Sequence, residues 1–136
     1  MKHEDKDLLL KDLCARLPYN PLVEYKGESY NVLGIAHGKL VLCKPFMSYT
    51  LKENPLVEEA KPYLFPISSM TEEQKKKYNW LKHSVFVCHY EYGDVVEEIE
   101  LYDSPESFEY LIENHFDYRG LIERGLAIDA TGLNIY

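Results

Sequence analysis

Two prolines four residues apart, Pro62 and Pro66, followed at once by a helix-start signal, constrain this chain more than any other stretch. Each proline lacks a backbone N–H and biases the residue before it toward extended geometry, so Lys61–Pro66 cannot be helical and reads as a rigid extended connector. Thr71 follows as an N-cap, with Glu72 and Glu73 at the positive end of the helix dipole and Gln74 placed to close a capping box. The stretch 61–78 therefore predicts an extended run that gives way to a helix.

Upstream, Leu9, Leu10, Leu13, Cys14 and Leu17 recur at helical spacing, with Lys6, Asp7, Lys11, Asp12 and Arg16 opposite. This predicts an amphipathic helix stopped by Pro18, with Cys14 on the buried stripe and Asp12 and Arg16 in water. Between Pro21 and Pro66 the pattern turns to short β-type runs: 22–26, 30–36 and 39–44, with weaker candidates at 49–51 and 57–60. His37-Gly38 reads as a hairpin turn and Gly34 as a bulge. Together these runs predict a small curved antiparallel sheet or an SH3-like barrel.

Downstream of the Thr71 helix, Val85–Tyr92 and Val95–Tyr102 flank a Gly93-Asp94 turn and predict a β-hairpin, with Glu98 and Glu100 alternating against Ile99 and Leu101; a continuous helix, which would have to absorb Gly93 and the β-branched residues, is the alternative. Ser104-Pro105-Glu106 combines an N-cap serine, a proline at the first helical position and an acid in the first turn, which starts another helix. Gly120–Arg124 is expected to add a turn ended by Gly125, and 127–136 to be an extended tail turning at Thr131-Gly132. The fold class is thus α+β: N-terminal helix, sheet or barrel, then helix, hairpin, helix. Two subdomains are expected, the N-terminal helix with a β-rich segment over 1–66 and an acidic α+β segment over 67–136, with one continuous domain as the alternative.

Charge separates those halves. Residues 1–70 hold nine basic and nine acidic side chains, whereas 71–136 hold six basic and fourteen acidic ones, so the excess behind the net charge of −8 lies in the second half. An acidic surface repels phosphate, which disfavours nucleic acid as a partner. Lys75, Lys76 and Lys77, the one basic run, fan around their helix. Tyr accounts for twelve of the aromatics beside five Phe and one Trp, a bias that suits half-covered positions and interfaces. Three cysteines without paired spacing imply neither disulfides nor a zinc knuckle. No signal peptide or membrane-spanning run is legible, so the expectation is a reduced, cytoplasmic protein with no membrane partner.

Candidate chemistry is sparse. His115 and Asp117, two apart, are the candidates for a metal or acid–base pair, and His89 could join them only through the fold. The alternative role for that segment is helix-end capping, with Arg119 paired to a carboxylate. Cys88 beside His89 would point to opposite faces of a strand, which separates thiol from imidazole. Phosphate loops, HExxH helices and GxSxG elbows are missing, and no cofactor is expected.

Two strings, KPYLFPISSMTEEQKKKY at 61–78 and HFDYRGLIERGLA at 115–127, resemble a group of small uncharacterised proteins encoded by Bacteroides-type gut bacteria and their prophages. That group shares a KPYL-x-P-x-SSMTEE segment and an HFDYRGLI-x-x-GLA segment. It carries no assigned activity, so no functional residue transfers. The resemblance implies a phage-associated or mobile-element setting. The expected function is a non-catalytic protein-binding or regulatory module whose acidic half meets a basic surface on a partner protein. A small metal-dependent hydrolase or nuclease using His115 and Asp117 is the alternative.

Overall fold

In the computed structural model, which describes residues 1–47 and 49–136, the chain is α+β and divides into two compact units. The first comprises Met1–Ser69 with Ile112–Tyr136, and the second Met70–Leu111. The first break falls after Ser69. Residues 112–136, however, belong with the sheet rather than with the acidic segment that precedes them.

The first unit opens with helix α1 (His3–Arg16), carried by a 3-10 turn over Pro18 into the sheet. Strands β1 (Leu22–Tyr25), β2 (Glu28–Ala36) and β3 (Lys39–Cys43) form an antiparallel meander. The β2–β3 turn uses positive φ at His37 and Gly38, the conformation of a type I′ hairpin. A register shift between Val32 and Gly34 marks the anticipated bulge. The weaker strand candidates reduce to a bridge between Cys43 and Thr50 and a 3-10 turn at Val57–Glu59. In that turn the Glu59 carboxylate accepts the Leu56 N–H at 2.8 Å, a local bond that competes with strand pairing.

The proline-bounded connector is strand β4 (Lys61–Pro66), and it lies inside the sheet. It pairs antiparallel with β1 at Lys61 and Pro62, and parallel with β8 (Ile128–Asp129) at Tyr63 and Leu64 and with β7 (Phe116–Asp117) at Phe65 and Pro66. Each pairing covers only two residues of β4, which is how a strand carrying two prolines remains tolerable away from an edge. The result is a curved mixed six-stranded sheet in the order β3-β2-β1-β4-β7, with β8 also on β4. Among the described residues no closed barrel forms, so the sheet alternative holds and the SH3-like barrel does not. Parallel strands from the end of the chain take the side of β4 that closure would need.

Parallel pairing of β4 with β7 demands a long crossover. The second unit is that crossover, an insertion between the two strands. It holds α2 (Glu72–Leu81), the hairpin β5 (His83–Glu91) and β6 (Asp94–Tyr102), and α3 (Pro105–Glu113), whose last two residues count with the first unit. The Thr71–Gln74 capping box is present, with Gln74 N donating to Thr71 Oγ1 at 3.2 Å and Thr71 N to Gln74 Oε1 at 2.9 Å. Ser104 caps α3 by accepting Ser107 N–H at 3.0 Å. No helix among the described residues is long and apolar enough to cross a membrane.

The core of the first unit gathers Leu9 and Leu13 of α1 with Val23, Val32, Leu40, Leu42 and Leu64 of the sheet and Leu121 and Leu126 beyond it. Cys43 is buried. Cys14 is exposed, while Asp12 and Arg16 are both fully buried, the reverse of the predicted faces.

Candidate functional site

The segment holding His115 and Asp117 is built around the buried Asp12–Arg16 pair. Arg16 donates through Nε to Asp12 Oδ2 at 2.8 Å and through Nη2 to Oδ1 at 3.1 Å, a bidentate contact one helical turn apart. The same guanidinium donates to the carbonyl of Phe116 at 2.6 Å and reaches that of Ile112 at 3.5 Å. Arg119 Nε lies 3.4 Å from Asp12 Oδ1. Both guanidinium groups lie near the Tyr118 ring, 5.8 Å from its centroid for Arg16 and 4.8 Å for Arg119. These contacts bind residues 112–119 to α1, which is why they leave the acidic segment.

His115 adopts a left-handed φ of 62° and stacks on Tyr136, with centroids 3.6 Å apart and planes 14° from parallel. Its Nδ1 is buried and finds no hydrogen-bond partner among the described residues. Burial, and secondarily the Arg16 charge, pull its pKa down to about 4. The imidazole is therefore neutral and weakly basic at pH 7, far from the pKa that suits a general base. The Tyr136 hydroxyl accepts Leu22 N–H at 2.9 Å and donates to the Tyr63 carbonyl at 3.0 Å. Burial raises that phenol to about 12.

Asp117 spends both oxygens on backbone, Oδ1 accepting Leu121 N–H at 3.0 Å and Oδ2 accepting Ile122 N–H at 2.9 Å. It holds the 120–125 turn, the capping role open to it from sequence. Asp117 lines a cleft of about 320 Å³ with Ser68 and Glu123, and His115 is not part of that lining. His89 belongs to the other unit, exposed on β5 with Nε2 3.9 Å from Glu91. Among the described residues no three His, Cys, Asp or Glu side chains converge as a metal cage. A second cleft of about 390 Å³ is lined by Asn20, Asn31, Phe46 and Tyr136, without a carboxylate, histidine or cysteine among its described lining.

The second unit offers a different kind of site. Tyr92 and Gly93, not Gly93 and Asp94, occupy the hairpin turn, both at positive φ, and β5 and β6 then pair through nine unbroken positions from Glu91↔Asp94 to His83↔Tyr102. Directly opposed residues share a face. One face collects Phe86, Ile99, Tyr90, Val95 and Leu101 with Ser84, Cys88 and Glu97; the other collects Glu91, Asp94, Glu98 and Glu100 among valines and histidines. The apolar face is uncovered: Phe86 is 63% exposed, Ile99 68% and Tyr90 81%. At the base, the Tyr78 hydroxyl donates to Asp103 at 2.6 Å and the Ser104 hydroxyl to the Leu81 carbonyl at 2.6 Å, closing the ends of the hairpin together.

No protein-family model, curated protein or solved structure matches the chain. Sequence periodicity exposed the alternation in β6, but the face it shares with Phe86 and Tyr90 emerges only once the two-residue turn fixes the register. The Asp12–Arg16 pair was signalled by i, i+4 spacing, although nothing local said it would be buried.

Proposed function

We propose that the protein is a non-catalytic binding or regulatory module whose acidic second unit engages a basic surface on another protein. The supporting observation is the uncovered apolar face of β5–β6, set in a hairpin with five carboxylates and no lysine or arginine. Contiguous exposed apolar surface of this kind is what interaction sites present. Residues 70–111 hold ten acidic and four basic side chains, against thirteen and eleven in the rest of the chain, so the charge and the apolar face coincide. Such charge speeds encounter and selects a cationic partner, and its effect weakens with salt.

The resemblance to prophage-associated proteins suggests a host or phage protein as that partner. Affinity capture with the wild type and with a Phe86→Ser/Ile99→Ser variant, each at low and high salt, tests the reading. A partner held by the wild type at low salt should be lost in the variant and weakened by salt. Identical recovery by both chains would sink it.

A further inference from the structure

We infer that the outer edge of β6 accepts an added strand, and that the partner is an extended polypeptide in which Lys or Arg alternates with apolar residues. The inference rests on the binding-module reading and specifies its partner. A two-residue turn makes Glu91↔Asp94 a hydrogen-bonded pair, so in an unbroken antiparallel ladder the pairs 90/95, 88/97, 86/99 and 84/101 are the non-bonded ones. Val95, Glu97, Ile99 and Leu101 therefore aim their backbone N–H and C=O groups away from β5, toward an edge that no described strand occupies.

Natural edges are blunted by charged side chains, lysine above all, by proline or by bulges. Neither arm, HSVFVCHYE or DVVEEIELY, has lysine, proline or a register shift, and the charges along β6 are all acidic, so they turn away anionic strands and not cationic ones. A two-stranded hairpin is marginal in water and gains from a third strand.

Charge then chooses the occupant. A strand laid along β6 sets alternate side chains beside Val95, Ile99 and Leu101 on one face and beside Asp94, Glu98 and Glu100 on the other. Alternating apolar and cationic residues satisfy both faces, with one more cation able to meet Glu97. A second copy pairing through its own β6 would bring carboxylates beside carboxylates, which is destabilising. The outer edge of β5 is flanked by Phe86, Cys88 and Tyr90 on one face and by Val85, Val87 and His89 on the other, and lacks that charge pattern.

The test uses the isotope-labelled full chain with two peptides of identical composition, one alternating Lys with Val and Ile, the other with its lysines blocked at one end. The alternating peptide should bind about tenfold tighter, and the amides of Val95, Glu97, Ile99 and Leu101 should gain exchange protection while those of Val96, Glu98 and Glu100 are protected already. Glu97→Pro, which removes an outward N–H and leaves the hairpin ladder intact, should abolish that tenfold preference. Glu97→Gln should keep it, and the remaining ladder amides report whether each variant holds its hairpin. Equal binding of both peptides without new protection overturns strand addition but leaves an acidic binding surface standing. Binding of neither at low salt overturns both.

Discussion

The two units invert each other's chemistry. The first buries charge, with Asp12 and Arg16 fully covered and bonded to each other and to the Phe116 carbonyl, whereas the second exposes Phe86, Ile99 and Tyr90 to water. A buried bidentate pair specifies one arrangement of neighbouring segments and is costly to break. An uncovered apolar face adds little to the stability of the isolated chain and gains its value when something covers it. One unit is organised to hold itself together, whereas the other leaves apolar side chains in water, the surface we propose serves a partner.

The strongest challenge to that contrast is Asp12→Ala. It strands Arg16 in the core and should cost about 3–5 kcal/mol by denaturant unfolding. Replacing the pair together, Asp12→Leu with Arg16→Met, should cost less, because the fully buried guanidinium goes with its partner and the Arg119 charge that remains is partly exposed. If the single change proves as mild as a surface substitution, the pair does not organise the first unit.

A pH titration sharpens the same point. His115 has its folded pKa lowered from 6.5 to about 4, so its contribution is complete above about 6.5 and is lost as pH falls toward 4. Discounted for the partial exposure of the ring, that contribution is about 1–2 kcal/mol. His115→Phe keeps a stacking ring and should flatten this part of the acid limb relative to wild type. Parallel acid limbs in the two proteins would remove His115 from the account.

Within the second unit, Ser104→Ala removes the α3 cap and the tie to Leu81 and should cost about 1 kcal/mol. Hydrogen exchange should place the loss in residues 70–111. Smallest of all, Phe86→Ser with Ile99→Ser should change unfolding stability by about 0.5 kcal/mol or less, since both side chains are already exposed. A larger loss would mean that the face supports the fold and would weaken its assignment to a partner.

The legible parts of the fold were those with a local cause. The Thr71 box, the Ser104 cap, the His37-Gly38 turn and the Gly34 bulge each act through residues a few positions apart, and each stands where its residues placed it. The hairpin was legible for the same reason, although its turn sits one residue earlier than Gly93-Asp94 suggested. At the candidate site, the capping role of Asp117 and a carboxylate partner for Arg119 could be anticipated, whereas the stacking of His115 on Tyr136 could not.

Local signals placed the three helices, the first three strands and the hairpin, along with the acidic bias of the later half, because capping, turn and proline effects operate over single turns of chain. Tertiary contacts were needed to make the proline-bounded run an internal strand, to turn Asp12 and Arg16 inward, to replace the candidates at 49–51 and 57–60 by a bridge and a 3-10 turn, and to return residues 112–136 to the first sheet. Those outcomes depend on partners such as the Phe116 carbonyl, 100 positions from Arg16, and no local pattern encodes a contact at that distance. The same holds for the hairpin: alternation declared an apolar stripe in β6, but only the paired register shows that Phe86 and Tyr90 of β5 share its face.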